Sequence, residues 1–310
     1  MTLASIVVPS RGGAGRLPAL LNALRVQDDP AWEAIVVLDG DIDDSAGVVA
    51  AYEQELPVRS IVFPENRGRV AALNAGFEAA RGEVLIRCDD DLIPAPDYVR
   101  LHRTGHDEGM CGLIGLPINQ PVETPYWSAY GASADEQFRA AAYRTPEHMT
   151  WRFWGGNVSV PREVHEHVGG YSPAYRGYGY EDVDYGYRLH RVGIPIRLVP
   201  ELETPHRMAA VTTRIRSDRA YESGAARRVF ESRHGIGVLG DPWRLEPSAW
   251  NSLVQLVAHT SSHGGLLRMA GLIDEATRRL PGAVARKLIA LNVEAAGLAG
   301  YRAGGRRDHG

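Results

Sequence analysis

Three consecutive aspartates follow an apolar run in "LIRCDDDLIPAPDYV", residues 85–99. Like charges this close together raise the cost of ionising one another, and removal from water adds to that cost. The sequence therefore predicts a cationic group that offsets the charge of Asp89, Asp90 and Asp91. The alternative interpretation is a solvated acidic turn, which requires no ligand.

A second pair of carboxylates lies in "GYGYEDVDYGYRL", residues 177–189, where Glu181 and Asp182 come between a glycine-rich turn and a helix. Acidic residues at a helix start stabilise the helix dipole, and this explains one of the two carboxylates. It does not explain the preceding "FWGGN" and "GYGY". Their glycines permit close approach, and their aromatic rings suit stacking against a sugar face.

The first hundred residues alternate between strand and helix patterns. Leucines at helical spacing predict a helix over residues 17–24, and Val70, Leu73 and Phe77 predict another. Four β-rich runs predict buried strands: "SIVVP" (5–9), "EAIVVLD" (33–39), "VRSIVFP" (58–64) and "GEVLIRCDDD" (82–91). This alternation predicts an α/β fold with a Rossmann-like, mostly parallel sheet flanked by helices.

Polar residues follow these strands where the strands end. Ser10 and Arg11 follow the first, Asp39 follows the second, and the three aspartates follow the fourth. Open α/β sheets bind ligands outside the carboxyl ends of their strands. We therefore expect all these side chains along one edge, which favours a ligand site over a solvated turn.

The composition excludes several classes of protein. The 310 residues are 44% hydrophobic with a formal net charge of −4, whereas a protein that binds nucleic acid is usually basic. Two cysteines form neither a metal motif nor a disulfide scaffold, so we expect a reducing cytoplasm, with peripheral membrane association as a further option. No apolar stretch approaches 18 residues, so no transmembrane segment is expected.

Four segments together resemble the family 2 glycosyltransferases of GT-A fold, and the last resembles the galactosyltransferase-type acceptor half. The resemblance covers roughly residues 3–206. The four segments are "SIVVPSR", "IVVLDGDIDDS", "ENRGRVAALNAGFEAARGEVLIRCDDDLIPAPDYV" and "FWGGNVSVPREVHEHVGGYSPAYRGYGYEDVDYGYRLHRVGIPI".

The resemblance implies a nucleotide-sugar donor, with uridine the favoured base, and a divalent cation that offsets the charge of the leaving diphosphate. Asp91 and His206 are the implied ligands of Mn²⁺ or Mg²⁺. Asp39 is implied to accept a hydrogen bond from the base. The full set implied to bind the donor is Pro9, Ser10, Arg11, Asp39, Asn66, Arg69, Asp89 and Asp90.

On the acceptor side, the resemblance makes Asp182 the catalytic base and Glu181 an acceptor-binding residue. If Asp182 is not the base, Glu181 and Asp184 are the next candidates. The other implied acceptor-binding residues are Trp154, Gly155, Gly156 and Tyr180. The expected activity is metal-dependent, inverting transfer of one hexosyl or N-acetylhexosaminyl group to a saccharide, glycolipid or small natural product. The Q-x-x-R-W sequence of processive synthases is absent, so we expect non-processive transfer.

The expected organisation is a donor-binding half over residues 1–104, an acceptor-binding and catalytic half over 105–210, and a helical C-terminal extension over 211–310. The apolar faces of this extension are expected to pack on the catalytic domain or to form a homodimer contact. Two other functions remain open: a sugar nucleotidyltransferase, and a catalytically inactive carbohydrate-binding protein of the same fold.

Overall fold

The chain divides into two compact units, and the computed structural model describes residues 2–208, 210–243 and 246–307. The first unit comprises Met1–Gln120, Ala141–Arg176 and Glu181–Arg207. The second comprises Pro121–Ala140, Gly177–Tyr180 and Met208–Gly310. The two halves predicted within residues 1–210 stay a prediction.

The first unit is built on a seven-stranded sheet of order β3-β2-β1-β4-β7-β5-β8, beside a two-stranded sheet of β6 and β9. Strands β1 to β4 are parallel to one another, and β7 runs antiparallel between β4 and β5. The strands are Ala4–Ser10 (β1), Trp32–Leu38 (β2), Val58–Val62 (β3), Val84–Cys88 (β4), Gly112–Ile114 (β5), Pro117–Asn119 (β6), Asn157–Pro161 (β7), Ile196–Leu198 (β8) and Thr204–His206 (β9).

Helices of the first unit pack on this sheet, which explains why its central strands are apolar along nearly their whole length. The predicted α/β fold is confirmed. In chain order the α-helices of the two units taken together are Leu17–Arg25 (α1), Ser45–Glu53 (α2), Arg69–Ala79 (α3), Tyr98–Thr104 (α4), Ala132–Arg144 (α5), Arg162–Val168 (α6), Glu181–Arg191 (α7), Thr213–His234 (α8), Ala249–Thr260 (α9), His263–Thr277 (α10) and Gly282–Arg307 (α11).

The strand register places the carboxyl ends of β1, β2 and β4 at one edge of the sheet. Ser10 is paired with Leu38, directly before Asp39, and the Asp39 N–H donates to the Ser10 carbonyl at 2.8 Å. On the other side, Cys88 is paired with Asn157 of β7, and the Asp89 N–H donates to the Gly156 carbonyl at 2.9 Å. The aspartates therefore lie at the edge that the strand order predicts.

The second unit is helical, as expected for the C-terminal part of the chain. Serine or threonine hydroxyls cap the N-termini of α8, α9 and α10. Helices α8 and α11 approach each other so closely that only a glycine fits at position 300. A Cβ on Gly300 would lie 1.9 Å from the Tyr221 carbonyl oxygen. None of the helices described is long and apolar enough to cross a membrane. The expected packing role of this extension stays a prediction.

Candidate active site

Asp90 points into the protein and joins the ends of β4 and β1. Its carboxylate accepts from the Ser10 hydroxyl at 2.5 Å and from Arg16 at 3.0 and 2.8 Å. Burial raises the pKa of Asp90, while the hydrogen bonds from Arg16 and Ser10 oppose this. Arg16 thus supplies some of the positive charge that was expected beside the three aspartates. It lies in the "RGGAGR" turn, and the sequence motifs gave it no role.

Asp89 is held by Arg87, a fully buried arginine within β4. The Nε and Nη2 atoms of Arg87 donate to the two oxygens of Asp89 at 2.9 and 3.2 Å. Burial raises the pKa of Asp89, but the charges of Arg87 and Arg69 and the hydrogen bonds from Arg87 together outweigh it, and the pKa falls to about 2. The close approach of Asp89 to residue 156 requires a glycine there, because a Cβ would lie only 2.5 Å from the Asp89 carboxylate.

Asp91 lies beside His206, which β9 brings to the same edge. A backbone bridge pairs Leu92 with His206, and the Arg207 N–H donates to the Asp91 carbonyl at 2.8 Å. The Nε2 atom of His206 is 3.1 Å from Oδ2 of Asp91. The other carboxylate oxygen, Oδ1, is buried without a hydrogen-bond partner among the described residues. The two predicted metal ligands are therefore neighbours, although 115 positions separate them in the printed sequence.

Asn119 fixes the orientation of the His206 ring. The Nδ1–H of His206 donates to Oδ1 of Asn119 at 2.6 Å, which directs Nε2 towards Asp91. Histidine ligands in metal sites commonly donate their other ring N–H in this way. Asn119 ends β6, which pairs with β9, so the sequence alone did not indicate it.

Glu181 and Asp182 are the first two residues of α7. They face two arginines, Arg69 of α3 and Arg87 of β4. Glu181 is 2% exposed, and its Oε1 accepts from Arg69 at 3.3 Å. Its Oε2 is buried, with no partner in the described part of the chain. Oδ1 of Asp182 accepts from Nη1 of Arg87. Burial raises the pKa of Asp182 to about 7, with Arg87 opposing and Glu181 adding to the rise.

Asp184, the further candidate base, is fully buried and takes part in structural hydrogen bonds. Its carboxylate accepts from Arg188 at 2.8 Å and from the Tyr175 hydroxyl at 3.1 Å. These contacts tie α7 to the preceding loop. Asp182 is thus the better placed of these two carboxylates to take a proton.

The carboxylate of Asp39 accepts hydrogen bonds from the backbone of a loop, residues 66–68. The backbone N–H groups of Arg67 and Gly68 donate to its two oxygens at 2.6 and 2.9 Å, and the Arg11 guanidinium donates to its carbonyl at 2.7 Å. A carboxylate has about four lone-pair sites, so it can still accept from a ligand. The Asn66 side chain supports the same loop by accepting from the Gly68 N–H at 3.0 Å, and Pro9 is buried within β1.

Trp154, which the resemblance implies in acceptor binding, is buried in the first unit, and its role stays a prediction. Trp154 is 4% exposed, its Nε1–H donates to the Tyr171 hydroxyl at 3.1 Å, and its ring stacks on that of Tyr185 at 5.6 Å. Gly155 and Gly156 follow Trp154 in the loop before β7. Tyr180 belongs to the second unit, with a φ of 66°, and its role stays a prediction.

Comparison with known proteins identifies the family. The sequence model described as Glycosyl transferase family 2 matches residues 5–169, more than half of the chain. The chain belongs to glycosyltransferase family 2. A second model, described as N-terminal domain of galactosyltransferase, matches residues 136–211 of this family 2 chain and so covers Asp182 and His206.

Curated relatives agree with the family. A validoxylamine A glucosyltransferase from Streptomyces hygroscopicus subsp. jinggangensis is 30% identical over 236 residues, covering 66% of this chain and 56% of that protein. An uncharacterised glycosyltransferase, YfnE of Bacillus subtilis, is 24% identical over 255 residues, covering 66% and 64%. The chain thus matches between about half and two thirds of the length of these relatives.

Solved structures show the same fold. The mannosyltransferase PcManGT from Pyrobaculum calidifontis, in complex with GDP-Man and Mn²⁺, superposes with a TM-score of 0.62 at 19% identity, covering 96% of this chain and 87% of that one. Residues 1–349 of S. aureus TarS, in complex with UDP-GlcNAc, give a TM-score of 0.52 at 16% identity, covering 97% and 92%. The predicted GT-A fold is confirmed.

Proposed function

We propose that the protein is a metal-dependent inverting glycosyltransferase that moves one sugar from a UDP-sugar to a hydroxyl acceptor. One observation carries this proposal. The carboxylate of Asp182, with a pKa near 7, and the carboxylate of Asp89 at the end of β4 are bound by the same guanidinium, that of Arg87. A base suited to neutral pH therefore lies beside the edge where an α/β sheet binds its ligand.

The residues at this edge fit a divalent cation. Asp91 presents a buried oxygen that has no hydrogen-bond partner within the described ranges, and His206 directs Nε2 towards the same carboxylate. Across the ranges described, no three His, Cys, Asp or Glu side chains form a ready-made metal site. Two protein ligands leave coordination positions for oxygens of a donor diphosphate. A cation bound by Asp91 and His206 would offset the charge that develops on the leaving diphosphate.

The protein's own groups account for the transfer. Asp182 accepts the proton of the acceptor hydroxyl while that oxygen bonds to the anomeric carbon. The bond from the anomeric carbon to the diphosphate oxygen breaks, and its electron pair stays on the diphosphate. Because attack comes from the side opposite the leaving group, the anomeric configuration inverts. Glu181, held by Arg69, lies next to the base and binds the acceptor.

For the donor, the carboxylate of Asp39, which the loop of residues 66–68 holds in place, accepts a hydrogen bond from the N3–H of uracil. For the acceptor, we favour a small natural product. The validoxylamine A glucosyltransferase match extends over 236 residues, whereas the undecaprenyl-phosphate 4-deoxy-4-formamido-L-arabinose transferase of Pseudomonas fluorescens matches over only 100.

The proposal is tested by incubating the purified protein with UDP-, GDP-, ADP- and dTDP-sugars, with Mn²⁺ or with a chelator, and measuring release of the nucleoside diphosphate. We expect slow, metal-dependent hydrolysis that is fastest with a UDP-sugar. Absence of hydrolysis and of transfer with every donor would favour an inactive carbohydrate-binding protein. Stronger thermal stabilisation by UTP than by UDP, each with Mn²⁺, would favour a nucleotidyltransferase.

The pH dependence of transfer should follow the Asp182 carboxylate. Burial raises its pKa to about 7, and a base acts only when deprotonated, so kcat should rise with pH through about 7 and then level off. The measurement is kcat between pH 5 and 9 at saturating donor, acceptor and Mn²⁺. A profile already flat at pH 5 would contradict the assignment of Asp182.

Asn119→Ala should weaken Mn²⁺ binding in the presence of UDP by about 10–100-fold, because the His206 ring loses the partner that orients it. Calorimetric titration of Mn²⁺ into the protein with UDP measures this without turnover. The control is Asn22→Ala, which replaces an asparagine at an exposed position of α1. Equal Mn²⁺ affinity in Asn119→Ala and wild type would contradict the role of Asn119 in orienting a metal ligand.

A further inference from the structure

Arg87 is a charged residue in the middle of the sheet. It lies in "VLIRC" of β4, between β1 and β7, and its side chain is 0% exposed. A buried charge is costly unless it is paired and hydrogen-bonded. The partners of Arg87 are therefore integral to the structure of this edge.

The Arg87 guanidinium binds two carboxylates from different parts of the chain. Nε and Nη2 donate to Asp89, two residues further along the strand, and Nη1 donates to Asp182 at the start of α7. The guanidinium is planar, and its donors form a rigid fork. The relative position of the two carboxylates is consequently determined by one side chain, whose Cζ also lies 5.7 Å from the centre of the Tyr171 ring.

We propose that Arg87 is a positioning residue, which holds the base Asp182 at a set distance from the donor-side carboxylate of Asp89. Its complete burial keeps it out of contact with either substrate. The inference rests on the proposed function, because it takes Asp182 as the base. It adds a residue that neither the motifs nor the resemblance to family 2 assigned.

The charges around Asp182 predict how its titration responds when this arrangement is changed. Burial and neighbouring negative charge raise its pKa, and the two arginines lower it. The groups that face it are Arg87 of β4, Arg69 of α3, Glu181 of α7, Asp89 after β4 and Tyr171 before α7. Loss of the Arg87 charge should thus raise the pKa of Asp182, and loss of the Asp89 charge should lower it.

The test compares pH profiles of kcat for wild type, Arg87→Met and Arg87→Lys at saturating donor, acceptor and Mn²⁺. The acidic limb of the profile is the pH range in which kcat rises as Asp182 loses its proton. In Arg87→Met we expect this limb to move to higher pH by about 1–3 units, the usual effect of losing one close opposite charge. Arg87→Lys keeps the charge but lacks the fork. Its acidic limb should stay near that of wild type, with kcat lower by about 10–100-fold, as for a misplacement on the order of 1 Å.

Two further variants separate positioning from stability. Arg103→Met breaks another largely buried pair of the same unit, in which Arg103 donates to Asp29 at 2.7 Å. It should lower the melting temperature and leave the pH profile in place. Asp89→Asn keeps the buried arginine and remains informative even if Arg87→Met does not fold. Its acidic limb should move to lower pH.

The outcomes distinguish this inference from the proposed function. A wild-type protein without transfer or donor hydrolysis would overturn the proposed function, and the inference with it. An active wild type whose acidic limb is unchanged by Asp89→Asn, and also by Arg87→Met where that variant folds, would overturn the inference alone. Opposite shifts in Arg87→Met and Asp89→Asn would support it, since a purely structural role moves neither profile.

Discussion

Asp182→Asn is expected to lower kcat of sugar transfer by about 10²–10⁴-fold, the usual contribution of a general base. The amide has nearly the same volume as the carboxylate but cannot accept the proton of the acceptor hydroxyl. Donor and metal affinity should be retained, because Asp89, Asp91 and His206 are unchanged. The measurement is kcat at saturating donor, with UDP affinity from calorimetry.

Glu181→Gln is the comparison for this variant. Glu181 precedes the base and is held by Arg69, so its neutralisation should mainly raise KM for the acceptor. Circular dichroism should confirm that both variants are folded, because carboxylates at a helix start also stabilise the helix. If Asp182→Asn retains more than about a tenth of wild-type turnover, another residue is the base.

Asp91→Asn is expected to abolish the gain in UDP affinity that Mn²⁺ provides. The substitution replaces a charged oxygen ligand with a neutral amide at the carboxylate whose Oδ1 is buried without a partner among the described residues. The loss of Mn²⁺ affinity should exceed the roughly 10–100-fold expected for an outer-sphere partner such as Asn119. UDP binding is measured by calorimetry with Mn²⁺ and with a chelator.

Asp28→Asn is a suitable control for Asp91→Asn, because Asp28 is a half-exposed aspartate that pairs with Arg100 on the surface. It should show the wild-type dependence of UDP binding on Mn²⁺. Unchanged Mn²⁺ dependence in Asp91→Asn would rule out Asp91 as a ligand. Unchanged thermal stability without metal would show that any loss of binding is local.

The sequence by itself determined the strands and helices of the first hundred residues and the edge of the sheet at which the parallel strands end. Continuous apolar runs such as "SIVVP" and "EAIVVL" indicate strands buried on both faces, and they became β1 and β2 with boundaries shifted by about one residue. Because parallel strands share an edge, the order of the strands along the chain is enough to group the residues that follow them. Four motifs in order also indicated the family, which the comparisons confirmed.

Tertiary structure alone decided the partners of each site residue. The pairing of β6 with β9 brings Asn119 to His206, and the return of β7 beside β4 brings Gly156 to Asp89. It also separated the carboxylates of α7, since Asp184 takes part in structural bonds while Asp182 meets Arg87. Packing also stacks the ring of Trp154 on that of Tyr185. Periodicity records which face of an element is buried, whereas these contacts join residues far apart in sequence, whose pairing depends on how the elements pack.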